Sequence, residues 1–193
     1  MTNSIKLIVG LGNPGPEYAQ TRHNAGVWFV AMLAEQQKQT LRPESKFFGL
    51  CGKTPLADTE CRLLVPTTFM NRSGQATQAL ANFYRIEPEA ILVVHDELDL
   101  PAGVARFKQG GGDGGHNGLK DITAQLNNNN YWRLRIGIGH PGNRAQVHDY
   151  VLGKPSRTDE QLIMTALENA LSVLPQFVSG DQQKAMQTLH IMK

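Results

Sequence analysis

Apolar runs rich in β-branched residues alternate along this chain with helical patterns, and that alternation decides the fold class before any motif is considered. The runs 5–11, 47–53, 61–65, 90–95, 104–108 and 133–138 read as strands. Residues 26–37 are apolar nearly all round at first, which predicts a buried helix. Residues 73–84 place Ala76, Leu80 and Phe83 on one helical face, 118–126 give a short helix, and 158–178 a long one in which Pro175 is placed to introduce a kink. A last helix is predicted over 181–190. Interleaved strands and helices predict an α/β fold, a single globular domain over residues 1–193 with a twisted mixed β-sheet flanked by helices. The length suits one core of that size, and no repeat or linker divides it. The tetrad 127–130, all asparagine, reads as a loop.

The first strand runs into GLGNPGPEYAQTRHNAG, from Gly10 to Gly26. Its first six residues spell G-x-G-x-x-G, the dinucleotide fingerprint. That motif needs a helix to begin within the glycines so that its N–H groups meet a pyrophosphate. Here Pro14 and Pro16 remove donors from that place, and the next helical pattern starts only near Asn24. The acid expected about 20 residues on is represented only by Glu35, inside the predicted helix. A dinucleotide site is therefore not expected. The glycines and prolines build a rigid turn at a strand's C-terminal end, the edge where open α/β sheets bind ligands. Asn13 on that turn either presents its amide to a ligand or belongs to ordinary turn chemistry. His23 either works in catalysis or is a capping, partly buried histidine.

Three more polar clusters stand at element ends. In PTTFMNRSG, Asn71 lies near a helix start, where it or Ser73 can cap. VVHDELDLP closes an apolar strand with His95 and Asp96, and an Asp in that place can orient a histidine from a neighbouring loop. KQGGGDGGHNGLKD surrounds Asp113 with five glycines before His116 and Asn117; such a loop either cradles an anion or is mobile. No G-K-[ST] follows that loop, and no H-E-x-x-H, C-x-x-C or G-x-S-x-G occurs, so P-loop, zinc and serine-hydrolase chemistry is not expected. What remains is a histidine, a strand-end aspartate and several asparagines. Such a His–Asp pair can activate water, and asparagine amides can hold a substrate or a developing oxyanion.

The net charge of +2 hides a pattern. Residues 86–100 carry five acids and no base, while 101–157 carry eight bases against three acids, +5 by difference. That segment is either a surface for phosphates or a solvated face. No stretch approaches the ~20 apolar residues of a membrane span. Residues 1–4, MTNS, do not begin a secretory pattern. Cys51 and Cys61, placed to face each other across a strand pair, are too few for a disulfide framework and read as reduced thiols.

Taken together, LIVGLGNPGPEYAQTRHNAG, PTTFMNRSG, ILVVHDELDLPAGVARFKQGGGDGGHNGLKDI, WRLRIGIGHPG and DYVLGKP resemble the bacterial peptidyl-tRNA hydrolases, in order and spacing, across nearly the whole chain. After Arg157 the likeness is loose. The resemblance implies a monomeric, cytoplasmic α/β enzyme that hydrolyses the ester joining a peptide to the terminal ribose of tRNA, without metal or other cofactor. It implies His23 as general base and Asp96 as its support. It places Asn13, Asn71 and Asn117 along the substrate channel, Asn13 being the one that tells peptidyl-tRNA from aminoacyl-tRNA. Tyr18 and Phe69 match channel or tRNA-contacting positions, and Lys108, Arg135 and Arg144 match a clamp for tRNA phosphate. The rivals are an RNA-binding relative without turnover, which a hydrolysis assay separates, and a nucleotide-binding oxidoreductase, which nicotinamide or flavin binding would reveal.

Overall fold

The computed structural model describes residues 4–192; Met1–Asn3 and Lys193 lie outside the described residues. Among the described residues seven strands form one sheet: β1 (Leu7–Gly10), β2 (Arg42–Glu44), β3 (Gly49–Leu56), β4 (Thr59–Pro66), β5 (Ile91–Glu97), β6 (Ala105–Gln109) and β7 (Trp132–Gly137). Their order is β2-β3-β4-β1-β5-β7-β6. The pairs β1/β4, β1/β5 and β5/β7 are parallel, whereas β2/β3, β3/β4 and β6/β7 are antiparallel. The sheet is thus mixed, with a parallel centre. Strands β1 and β5 are apolar without alternation because both of their faces are covered.

Among the described residues six helices cover those faces: α1 (Ala25–Gln36), α2 (Ser73–Tyr84), α3 (Asn117–Leu126), α4 (Val147–Val151), α5 (Arg157–Val178) and α6 (Gln182–His190). Ile8, Leu92 and Val94 face one core with Phe29 and Val30 of α1 and Leu167, Leu174 and Phe177 of α5. Leu7, Val9, Ile91 and Val93 face a second core with Leu80 of α2 and Leu119 and Ile122 of α3. Burying one such side chain contributes about 1.5–3 kcal/mol, so two apolar cores on one sheet hold the centre firmly. Among the described residues no helix is long and apolar enough to cross a membrane.

The α/β prediction holds, with strand ends displaced by one to three residues. Two elements escaped the sequence reading. Strand β2 is short, exposed and contains Pro43, so it carries no apolar signal. Helix α4 is a single turn or so, too short for periodicity. Helix α5 runs through Pro175, which falls in its last turn, to Val178. The cysteines do not face each other: Cys51 pairs with Leu64 and Cys61 with Thr54, because the register offsets them by three places. Both are free thiols, and burial pushes Cys61 up to about 12 and, with Glu44 nearby, Cys51 up to about 11.

Candidate active site

Because β4, β1, β5 and β7 are parallel, their C-terminal ends share one edge. The segments that follow β1 and β4 meet there, with the end of β5 and the start of α3. In open α/β sheets this is the ligand-binding edge. It gathers Asn13, Tyr18 and His23 after β1, Phe69 and Asn71 after β4, Asp96 at the end of β5, and His116 and Asn117 at the start of α3.

His23 sits in a one-turn 3-10 segment, Arg22–Asn24, directly before α1. That helix lies backbone to backbone on the sheet. A Cβ on Gly10 would come 2.4 Å from the Gly26 carbonyl oxygen, and one on Gly26 would come 2.1 Å from that of Val94. Two glycines of the opening stretch therefore serve helix–sheet packing, not phosphate approach. The close seating brings His23 Nδ1 to 3.0 and 2.9 Å from the two carboxylate oxygens of Asp96. A carboxylate accepts only, so in neutral His23 Nδ1 carries the hydrogen and Nε2 keeps its lone pair. The pair is sheltered: the His23 side chain is 11% exposed and that of Asp96 2%.

Burial by itself lowers the basicity of His23, but the charge and hydrogen bond of Asp96 together outweigh it and hold the imidazole above its ordinary value. Burial would raise the Asp96 carboxyl, yet the two histidines that touch it hold it well below the usual carboxylate range. His95, the neighbour of Asp96 in sequence, is enclosed and points its Nδ1 at the Asp96 carbonyl at 2.8 Å. Burial, then His116, lowers it to about 3, which favours the neutral ring.

The asparagines are placed differently from one another. The side-chain oxygen of Asn13 accepts from the Met70 N–H at 2.7 Å, which fixes the amide's orientation and leaves its NH₂ free of any partner among the described residues. Asn24 holds the same turn twice: its oxygen accepts from the Asn13 N–H at 2.9 Å and its NH₂ donates to the Asn13 carbonyl at 3.0 Å. Asn71 and Asn117 are exposed, with no side-chain partner among the described residues. Neither Asn71 nor Ser73 caps α2; the Ser73 hydroxyl donates to Met70, and Asp121 of α3 instead accepts from the Gly74 N–H at 2.8 Å. Tyr18 and Phe69 meet edge to face at 6.2 Å, and Phe69 is 58% exposed.

The sequence profile of the peptidyl-tRNA hydrolases matches residues 7–193. Peptidyl-tRNA hydrolase of Pseudomonas paraeruginosa is 58% identical over 191 residues, 98% of this chain and 98% of that protein. That of Tolumonas auensis is 58% identical over 194 residues, covering 100% and 98%. The crystal structure of peptidyl-tRNA hydrolase from Acinetobacter baumannii superposes with a TM-score of 0.97 at 50% identity, covering 100% of this chain and 98% of that one. The chain belongs to the peptidyl-tRNA hydrolase family.

Within this member of the peptidyl-tRNA hydrolases, two residues at the site and one on the basic sheet edge had gone unassigned from sequence. Asn24 was one, and its neighbour His23 drew the attention. His116 is another. Its Nε2 lies 2.8 Å from Asp96, and its Nδ1 accepts from the Gly118 and Leu119 N–H groups at 3.1 and 3.4 Å. It therefore caps α3 with a ring nitrogen, a role that helix-start signals built on Ser, Thr, Asp and Asn do not flag. The third is Arg106, which faces the same side of β6 as Lys108; strand alternation alone could have paired them.

The atoms of His23, Asp96 and His116 lie within 4.8 Å of one another, compact enough for a metal ion. The donor set fits poorly, however. With Nδ1 of His116 accepting from the helix, its Nε2 carries hydrogen and offers no lone pair, so ligation would cost the α3 cap.

Lys108 and Arg135 share one side of the β6/β7 edge, where Arg106 stands directly opposite Arg135 and Lys108 opposite Arg133. Arg135 is not free: it donates to Glu97 at 2.9 Å. Arg144 comes from a different segment, exposed at the start of the 3-10 turn Arg144–Gln146. The buried Arg133 grips the carbonyls of Gly111 and Gly112, and Asp113 accepts from the Gly115 N–H within the loop itself. A carboxylate at its centre makes the glycine loop a poor anion cradle.

Proposed function

We propose that this peptidyl-tRNA hydrolase cleaves its ester with His23 as general base, held and charge-balanced by Asp96. Nε2 of His23 takes a proton from water as the oxygen attacks the carbonyl carbon of the peptide ester. The C–O bond to the terminal ribose then breaks, the imidazolium returns its proton to the leaving hydroxyl, and free peptide and tRNA depart. Asp96 keeps hydrogen on Nδ1 and stabilises the positive ring while it carries both protons. His116 holds one Asp96 oxygen without competing for that proton. The amides of Asn71 and Asn117, not consumed within the chain, are available to the peptide and to the developing oxyanion.

Asn13 reads the substrate's amino end by donation. Its free NH₂ suits a peptide carbonyl and offers nothing to the ammonium of an aminoacyl-tRNA. Tyr18 and Phe69 form an aromatic wall for the channel. Lys108, Arg135 and Arg144 hold phosphate, and Arg106 joins them. In this reading the enzyme is a cytoplasmic monomer.

The observation that carries the proposal is the buried His23–Asp96 pair at 2.9 Å, with Nε2 unpartnered among the described residues, in a chain of this family. The experiment is release of tRNA from purified peptidyl-tRNA by native protein and by His23→Ala. The variant is expected to bind tRNA and to hydrolyse about 10²–10⁴-fold more slowly. Activity within about threefold of native would remove His23 from the role.

A further inference from the structure

The turn that carries His23 is one 3-10 turn long, and so short a segment has no ladder of its own to fix its orientation. Its own bonds are few, the Asn24 N–H to the Thr21 carbonyl and the Ala25 N–H to the Arg22 carbonyl, so beyond its junction with α1 it depends on ties from outside. Asp96 holds the ring. On the other side, the residue before His23 is tied at three points to α4 and to Gly153, two residues beyond it. The Arg22 N–H donates to the Gly153 carbonyl at 3.0 Å. One guanidinium nitrogen of Arg22 donates to the Tyr150 carbonyl at 2.8 Å. The guanidinium carbon stands 3.8 Å from the centre of the Tyr150 ring. Tyr150 is itself anchored, since its hydroxyl donates to the Ile138 carbonyl at 2.6 Å, just beyond β7.

Nothing in this arrangement balances charge. Among the described residues no carboxylate pairs with Arg22, and its Nε is buried without a hydrogen-bond partner. A long cationic side chain has been committed to a carbonyl and a ring, next to the catalytic base. A planar guanidinium that stacks and donates at once fixes direction as well as distance, which an ammonium does less well.

We infer that Arg22 and Tyr150 are positioning residues for His23: the Arg22–Tyr150 contact braces the 3-10 turn against α4 and the end of β7. It rests on the reading of His23 as general base. Besides the Asn24–Asn13 bonds at the end of the turn, two holds then act on either side of the imidazole, Asp96 on Nδ1 and the brace on the backbone. Releasing the brace leaves the charge pair intact but lets Nε2 drift from the attacking water, and a displacement of about 1 Å can cost ~10²-fold in rate.

The test is steady-state hydrolysis of peptidyl-tRNA by Arg22→Ala, Arg22→Lys, Tyr150→Leu and the double variant Arg22→Ala/Tyr150→Leu. Rates are normalised to the fraction of protein that binds tRNA stoichiometrically, which removes any loss of folded material. Arg22→Ala is expected to lower kcat about tenfold or more with KM within about twofold. Arg22→Lys recovers part of the loss, because the ammonium still reaches the Tyr150 carbonyl and ring. Tyr150→Leu reproduces the loss, and the double variant is no slower than the slower single one, as expected for two halves of one contact. A native kcat in Arg22→Ala, a loss confined to KM, or losses that multiply in the double variant would overturn the brace. Should Arg22→Ala fail to fold, Arg22→Lys and Tyr150→Leu carry the same comparison. His23→Ala run in parallel keeps the two ideas apart. Near-native activity there refutes the base itself, whereas an inactive His23→Ala beside a native Arg22→Ala refutes the brace alone.

Discussion

With His23 as the proposed base, its imidazole is protonated below its pKa and has no lone pair for water, so activity is expected to rise as pH climbs through that value. Asp96 outweighs burial and holds the value above 6.5, which places the acid limb of kcat/KM above the ordinary imidazole range. In Asp96→Asn the charge is gone and the burial remains. The acid limb is therefore expected to move to lower pH, while the plateau falls about 10- to 100-fold because the ring is less well held. A pH–rate profile of native protein and variant checks both; a limb that stays in place means that Asp96 does not set the charge state of His23. Asn13 permits a second comparison at this scale. With its oxygen committed to Met70, its NH₂ can only donate, so Asn13→Ala should narrow the ratio of rates on N-blocked and free aminoacyl-tRNA. An unchanged ratio would return Asn13 to a turn residue.

Helix α1 depends on Gly26 at the element scale. In an exposed helix, Gly→Ala gains roughly 1 kcal/mol. Here the new Cβ would stand 2.1 Å from the Val94 carbonyl oxygen, and both atoms belong to rigid elements. Gly26→Ala should therefore destabilise by about 3 kcal/mol or more, read from urea unfolding. Equal or greater stability would show that α1 can lift from the sheet at no cost. Helix α3 offers a different separation. His116 both caps it and holds Asp96, so His116→Ala should lose about 1 kcal/mol of stability together with activity. Asn is a good cap but reaches less far, so His116→Asn should restore the urea midpoint more fully than the hydrolysis rate. Parallel recovery of both would mean that His116 acts through the helix alone.

For the whole molecule, the acidic and basic segments found along the chain become a surface question. Arg106 and Lys108 lie on one side of β6 with Arg135 opposite Arg106, and Glu97 is the acid that tempers them. A partner recognised by phosphate is bound less tightly as salt rises, and each lost contact reduces the slope by about one. Lys108→Ala should therefore weaken different tRNAs equally and flatten the salt dependence, while Glu97→Gln, by releasing Arg135, should tighten binding and steepen it. Affinity titrations at several salt concentrations distinguish this from a merely solvated face, for which all three slopes coincide.

Local rules carried much of the way. Interleaved β-branched runs and helical patterns were enough for the α/β class and for most of its elements, because buried strands and amphipathic helices write their periodicity into adjacent residues. The sequence also brought forward His23, Asp96 and the asparagines as candidates, though through the resemblance of whole motifs and not through spacing, since residues 73 positions apart carry no local signal of contact. Strand β2 and helix α4 were silent because an exposed three-residue strand and a five-residue helix have too few positions for a period. What only the tertiary structure decided is which polar groups are already spent. Asn13 gives its oxygen to Met70, Arg135 is shared with Glu97, His116 divides its two nitrogens between α3 and Asp96, and Arg22 braces the turn beside His23. Hydrogen-bond partners depend on distances across the fold, which residue type and order leave open until the chain has closed on itself.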